Sequence, residues 1–500
     1  MNISKLFLTA AKQYPEHLAI IDSKESISYA DLEREVQETA AYFKEKGIGL
    51  GDRVLVFVPM GIDLYRIVLA LFYIGATAVF LDEWVSKKRL ELCCQIAECK
   101  GFVGVFKATL YSFFSKELRQ IPVKLKLKKM VSSNLSIAEV EPNTPALITF
   151  TTGSTGTPKA ANRSHGFLKH QFEALMDKIE PQANDVDMPA LPIVLFVNLG
   201  VGCTSVIADF KMTKPDLLDP AVIAKQIKLN KVNRITASPF FIKKLSEYGI
   251  ENPNTFQGIE KIFTGGAPVF PREAALYLKA FPKAQSVIVY GSTEAEPISS
   301  ISAQSLINTP PALPNGLPVG QAYHKTNLKI IAFSEKAFPS ISPQELDSMS
   351  LENGKIGEII VSGPHVLKQY FKNAEAIRTN KIIVNELMWH RTGDSGMLIK
   401  NELFLTGRCS QLIKNQEGYL SPFIIENQLQ NITGINFGTL LSFQDQHVLV
   451  VESPLSLKQL EPLLVDIPHD KVVILNKIPR DPRHNSKIAY AQLKIILAKE

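Results

Sequence analysis

The sequence predicts an α/β fold in two or more domains, and three observations predict it. Short apolar runs alternate along the chain with stretches of helical periodicity, the pattern of strands and helices packed in layers. At 500 residues the chain exceeds what one hydrophobic core usually holds, and its 45% hydrophobic content can fill several. Gly407-Arg408-Cys409-Ser410, with strand-like runs on both sides, marks the clearest boundary, between residues 1–407 and a smaller α/β unit at 408–500.

In chain order, Leu6–Ala11 reads as an amphipathic segment. Val54–Val58 reads as a strand entered through the turn Gly51-Asp52-Arg53, Ile62–Ile74 as a helix and Ala78–Leu81 as a strand. The most apolar run, Ile67–Leu81, spans 15 residues and contains Gly75. That is short for a membrane span, so it is read as a buried helix leading into a strand. Lysines 124, 126, 128 and 129 interleave with apolar residues and read as a half-exposed strand with one basic face, which allows a weak membrane-surface contact. Ile259–Phe263 and Val287–Tyr290 are expected to be short buried strands around a helix at Pro271–Phe281, whereas Thr309–Pro318 and Phe338–Asn353, rich in Pro or Ser, read as loops or subdomain joints.

Composition narrows the function. The net charge of +6, from 55 basic and 49 acidic residues, is too mild to argue for nucleic acid, and no recognition motif for it is visible. Five cysteines, an odd and sparse set, fit a reducing compartment. Cys93, Cys94 and Cys99 can share a helix but lack ligand partners at metal spacing, so they read as core or surface thiols. No secretory cleavage site follows the first residues, and a cytoplasmic enzyme is expected.

The most informative segment is Thr149-Phe150-Thr151-Thr152-Gly153-Ser154-Thr155-Gly156-Thr157-Pro158-Lys159, directly after the apolar Ala146-Leu147-Ile148. Its glycines permit a tight turn, successive backbone N–H groups can cup an anion, and the hydroxyls and lysine add donors and charge. A polyphosphate suits it. The spacing is not that of a Walker A loop, because two residues separate Gly153 from Gly156 and Ala160 follows Lys159.

Further motifs follow in order. Thr264-Gly265-Gly266-Ala267-Pro268 is glycine-rich. Tyr290-Gly291-Ser292-Thr293-Glu294 follows the apolar Val287-Ile288-Val289, so a polar cluster sits at a strand's carboxyl end, where α/β sheets bind ligands. Its tyrosine offers a flat face for a purine, its threonine a hydroxyl and its glutamate a hard oxygen for Mg²⁺. His390-Arg391-Thr392-Gly393-Asp394 ends in a carboxylate able to accept from both hydroxyls of a diol. Gly407-Arg408 supplies a permanently charged guanidinium, and Arg483-His484-Asn485-Ser486-Lys487 a mobile ammonium.

Together these segments resemble the adenylate-forming superfamily of acyl-CoA synthetases, luciferases and peptide-synthetase adenylation domains, from about Tyr29 to Lys487. The resemblance implies a large N-terminal domain of packed α/β subdomains that binds ATP, and a small C-terminal domain that swings to bring in Lys487. It assigns the nucleotide to Thr152, Gly153, Ser154, Thr155, Gly156, Thr157 and Lys159. Adenine falls to Gly266, Ala267, Pro268 and Tyr290 with Gly291 and Ser292, phosphate to Thr293, Mg²⁺ to Glu294, ribose to Asp394, and ribose and phosphate to Arg408. Lys487, Lys159 and Glu294 are the expected catalytic residues.

The implied reaction joins a carboxylic acid, a long-chain fatty or 3-hydroxy fatty acid, to ATP as acyl-AMP with release of pyrophosphate. Asp187–Phe196, Arg483–Lys487 and Ser410, in place of the usual hinge aspartate, resemble the β-lactone synthetases of bacterial olefin biosynthesis. There the substrate's own hydroxyl displaces AMP and CoA is not required. Two other readings stay open: a fatty acyl-CoA or acyl-carrier ligase, in which CoA or a carrier takes the acyl group, and a catalytically weak nucleotide- or acyl-binding protein. Partner enzymes of a lipid pathway fit the first two. Ala160, where the superfamily usually has glycine, adds a methyl beside the phosphate segment and is expected to bear on its backbone.

Overall fold

The computed structural model describes all residues except 82–86, 133, 152–157, 212–213, 311–314, 416–417, 481–487 and 500. One six-stranded sheet runs in the order Val123–Leu125, Gly101–Gly104, Arg53–Phe57, Thr77–Phe80, Pro145–Thr151, Lys159–Ser164, parallel except for the last pair. Its central strands are buried on both faces, which is why they read as unbroken apolar runs rather than as alternation. The helix Ile62–Tyr73 is likewise buried all round, and Thr77–Phe80 follows it as a strand.

An eight-stranded sheet runs in the order Ala295–Ser302, Gln285–Ser292, Lys261–Gly265, Arg234–Ala237, Val186–Pro189, Thr204–Val206, Leu18–Ile21, Ser26–Ser28, parallel inside with antiparallel ends. An antiparallel sheet follows, with Leu387–Ile399 flanked by Gly357–Ser362 and Glu402–Arg408 and also paired with Lys381–Val384. Beyond residue 412 come a small hairpin and the three-stranded sheet of Phe437–Phe443, Gln446–Glu452 and Lys471–Ile474, with the helices Pro422–Gln430 and Tyr490–Leu497. Two apolar clusters there, one around Leu429 and Leu449 and one around Val450 and Leu493, draw their buried members only from that stretch of chain.

Several expectations need correcting. Phe338–Asn353 holds a helix, Pro343–Met349, whose Ser342 and Glu345 form a reciprocal capping box with Pro at the first turn. The residues that suggested a loop are a helix start. A strand begins at Leu317, inside the other expected stretch, Thr309–Pro318. The strand expected at Ile259–Phe263 is Lys261–Gly265, shifted toward the glycines. Only Lys124 of the four lysines lies in a strand, because the pairing with Gly101–Gly104 ends at Leu125. Cys93 and Cys94 lie on the helix Lys87–Ala97 and Cys99 beyond it, all buried, and burial pushes the Cys94 and Cys99 thiols up to about 12.

Candidate functional site

Lys159 opens its strand directly opposite Thr151, at the end of the hairpin from which 152–157 depart. Thr152, Gly153, Ser154, Thr155, Gly156 and Thr157, together with Arg483–Lys487, lie outside the described residues. Lys159 Nζ donates to Asn380 Oδ1 at 3.0 Å and stands 5.9 Å from the centre of the Tyr370 ring. Burial holds its pKa below the usual lysine value, opposed by Glu294 and reinforced by Arg408. Ala160 keeps its pairing with Phe150, and its methyl is buried in the apolar cluster with Phe150 and Phe102, so the strand absorbs it without losing register.

The segment 367–371 stitches two sheets together. Phe371 N donates to Ala160 O (2.7 Å), and Asn162 N to Gln369 O (3.2 Å). At the other end Leu367 N donates to Glu294 O (2.7 Å). Between these ties, Tyr370 donates its hydroxyl to Glu294 Oε1 at 3.0 Å, and burial beside that carboxylate holds the phenol protonated.

Lys381, at the start of its strand, is buried with its ammonium donating to Leu367 O and lying 5.5 Å from the centre of the Tyr370 ring. Burial pushes its pKa down to about 7, with Glu294 opposing and Lys159 adding to the shift. His390 is buried beside this pair with Nδ1 3.2 Å from Asn380 O, and desolvation plus the charges of Lys381, Lys159 and Arg408 keep it neutral.

The carboxylate–guanidinium end of the site is built on a ladder rung. Asp394 and Arg408 face each other across paired strands, and Arg408 Nη1 lies 3.1 Å from Asp394 Oδ1. Arg408 Nη1 also donates to Thr392 O at 3.2 Å, and Tyr290 donates its hydroxyl to Asp394 Oδ2 at 2.7 Å. Gly393 at φ 71° and Gly407 at φ 108° adopt the left-handed backbone that lets both strands bend here. A side chain at Gly407 would also press on Phe423, 3.0 Å away. The strand carrying Tyr290 runs on to Ser292, so the motif lies on the strand end and the turn to Ala295–Ser302. Gly265 ends the neighbouring strand, where an added Cβ would lie 2.5 Å from Val289 O, and Gly266, Ala267 and Pro268 continue from it. Thr293 contributes its carbonyl to Arg163 at 3.4 Å.

The fold therefore gathers Lys159, Glu294, Tyr290, Asp394 and Arg408 with three residues that the sequence did not single out: Tyr370, Asn380 and Lys381. In the sequence Lys381 precedes Ile-Ile-Val like any lysine at a strand entrance, and nothing local distinguishes it. The cations Lys159, Lys381 and Arg408 around two carboxylates suit a ligand of several negative charges. Among the described residues no group of three His, Cys, Asp or Glu forms a metal cage. Glu294, which accepts from Tyr370, would offer a hard carboxylate oxygen of the kind Mg²⁺ binds.

An apolar cavity of about 50 Å³ lies among Leu69, Phe72, Phe172, Ile193 and Phe196. Val194 and Val197 on the helix Pro192–Leu199 pack on Phe263 and Val287, which lead into the glycine-rich and tyrosine motifs.

A family model described as AMP-binding enzyme matches residues 7–371. The chain is 28% identical to an olefin beta-lactone synthetase of Xanthomonas campestris, over 95% of this chain and 91% of that protein. An olefin beta-lactone synthetase of Stenotrophomonas maltophilia is 26% identical, over 82% of this chain and 77% of its own length. In fold, the chain superposes on the O-succinylbenzoate coenzyme A synthetase of Bacillus subtilis in complex with AMP with a TM-score of 0.80, at 20% identity and 98% coverage of both chains.

Proposed function

The chain belongs to the AMP-binding enzymes, and from that premise we propose that it activates a carboxylic acid with ATP and then closes the product to a β-lactone. The observation that carries the activation step is the convergence of Lys159, Lys381, Glu294, Asp394 and Arg408 on one site. A carboxylate oxygen attacks the α-phosphorus, pyrophosphate leaves, and acyl-AMP forms. Lys159 and Arg408 hold phosphate charge in place. Asp394 exchanges its contacts with Tyr290 and Arg408 for the ribose diol. Mg²⁺ held in part by Glu294 would neutralise charge on the departing phosphates. Residues 408–500 form the small domain that delivers Lys487 to the carboxylate and α-phosphate.

In the second step the 3-hydroxyl oxygen attacks the acyl carbon, AMP leaves, and the hydroxyl proton passes to solvent. Attack from within the same molecule has a high effective molarity, which helps offset the strain of a four-membered ring. Likeness to two olefin beta-lactone synthetases over most of the chain supports this reading, as does the apolar helix Pro192–Leu199 beside the motifs, suited to hydrocarbon. The test is an incubation with ATP, Mg²⁺ and a long-chain 2-alkyl-3-hydroxy acid without CoA, followed by mass spectrometry and NMR. A β-lactone with stoichiometric AMP is expected. Acyl-AMP that becomes a thioester only when CoA is added would replace lactone closure by ligation. ATP binding without pyrophosphate release across a series of acids would leave a binding protein.

A further inference from the structure

We propose that the helix Phe106–Ser112 and the chain just after it form a docking face for an anionic lipid membrane. Phe106, Phe113 and Phe114 are 81%, 64% and 75% exposed, and Leu110 and Tyr111 between them are exposed as well. Leu50 stands singly, which is ordinary for a protein surface, and another close set, Leu457, Leu463 and Val465, numbers three in nine residues and has no aromatic ring. Here five fall within nine residues.

The helix is inverted relative to the usual amphipathic pattern. Its buried residues are the small Ala108 and Ser112, while the large ones face out. Gly104 explains how it seats: a side chain there would lie 3.0 Å from Ala108 Cβ, so the helix rests close on the strand end and leaves no room for rings beneath it. The rings project outward and the core has no use for them.

The surrounding charge is one-sided. From 106 to 129 the chain carries Lys107, Lys116, Arg119 and lysines 124, 126, 128 and 129 against a single acid, Glu117. Lys124 turns in to the Leu118 carbonyl, and Lys128 lies 3.9 Å from Glu25 and from Asp63. Lys107, Lys116, Arg119 and Lys126 are exposed. Aromatic rings flanked by basic side chains match an interface where rings settle at headgroup depth and cations meet anionic lipids. A fluid surface accepts rings that protrude one by one, whereas a protein partner would need a matching pocket for each.

The placement is also favourable. Gly101–Gly104 runs parallel to Arg53–Phe57, Thr77–Phe80 and Pro145–Thr151, so the helix leaves the sheet at the same carboxyl edge as Thr151. Docking would set that edge near lipid. Among the described residues no helix is long and apolar enough to cross a membrane, so the contact is a surface one.

The test is flotation of the full chain with vesicles of phosphatidylcholine and phosphatidylglycerol, and with vesicles of phosphatidylcholine alone. Its outcome does not depend on which acid is activated. Wild type is expected to float with the anionic vesicles, less so as salt rises, and hardly with the neutral ones. The double variant Phe113→Ser/Phe114→Ser should lower the partition coefficient by at least about tenfold through lost apolar contact. Lys107→Glu/Lys116→Glu should lower it by a similar factor of about ten through lost attraction. Both should leave thermal melting and pyrophosphate release with a soluble acid unchanged. Wild type that stays at the bottom with anionic vesicles at low salt, or a phenylalanine variant that floats equally well, would overturn the proposal. So would self-association in sedimentation that the phenylalanine variant abolishes, since that assigns the face to a second copy of the chain.

Discussion

Replacing Lys381 by methionine should make the protein more stable at neutral pH and less active. The ammonium is buried against Leu367 O and the Tyr370 ring, and its pKa is pushed from 10.5 down to about 7. The unfolded chain keeps this proton up to the ordinary value. Between about pH 7 and pH 10.5 the unfolded state therefore binds more protons, and stability rises with pH through that window. At pH 7, where half the folded molecules carry the charge, the penalty is about 4 kcal/mol. Methionine removes it but loses the hydrogen bond and the ring contact, together about 2 kcal/mol. The net expectation is about 2 kcal/mol of added stability at pH 7, shrinking to about zero near pH 10, where the penalty has fallen below about 1 kcal/mol and the neutral amine makes no cation–π contact. Urea unfolding at both pH values, read by tryptophan fluorescence to which the neighbouring Trp389 contributes, measures how far the gain shrinks. Pyrophosphate release should fall by about tenfold because a cation close to Glu294 and Lys159 is missing. A variant destabilised equally at both pH values would refute the buried-charge argument, and undiminished pyrophosphate release would remove Lys381 from the site.

Lys487→Ala should slow adenylate formation by on the order of 100-fold while ATP binding persists; equal rates in single-turnover assays would cancel its assignment. Glu294→Gln should raise the Mg²⁺ concentration needed for half-maximal activity, and an unchanged titration curve would exclude it as a metal ligand. Asp394→Asn weakens the acceptor shared by Tyr290 and Arg408, so the KM for ATP should rise by about tenfold or more, with a smaller change in the KM for the acid. Glu426, buried and accepting hydrogen bonds from Thr439 and Tyr490, has its pKa pushed up to about 7 by burial. The folded state then binds the extra proton between about pH 4.5 and 7, and local stability falls as pH rises through that window. Hydrogen exchange of the helix Pro422–Gln430 should quicken from pH 5 to 7.5 beyond its intrinsic pH dependence, and Glu426→Gln should remove that excess.

How far the sequence could be read depended on whether a signal was local. Apolar runs at 54–58 and 78–81 marked strands because a buried parallel strand must be apolar on both faces, a property visible in four or five residues; the run at 287–290, buried at Ile288 and half-buried beside it, was apolar enough to read the same way. The helix Pro343–Met349 was missed although its Ser-Pro-x-Glu start is also local, because Pro and Ser end elements as often as they begin them. Asp394 and Arg408 were named separately, and their contact as ladder partners was invisible until the strand register was known. Tyr370, Asn380 and Lys381 were not legible at all: their importance comes from the chain at 367–371 bonding to both Ala160 and Glu294.

By itself the sequence determined the α/β class and the order of the phosphate, glycine-rich, tyrosine, aspartate and arginine motifs. From these came the expectation of nucleotide chemistry, since backbone turns, hydroxyls and fixed charges are written in short spans. Only the tertiary structure decided which charges meet, that Lys381 is buried next to Lys159, and that Phe106, Phe113 and Phe114 face outward instead of filling a core. Burial, field and exposure are sums over residues far apart in the chain, and they exist only once the sheets have closed around them.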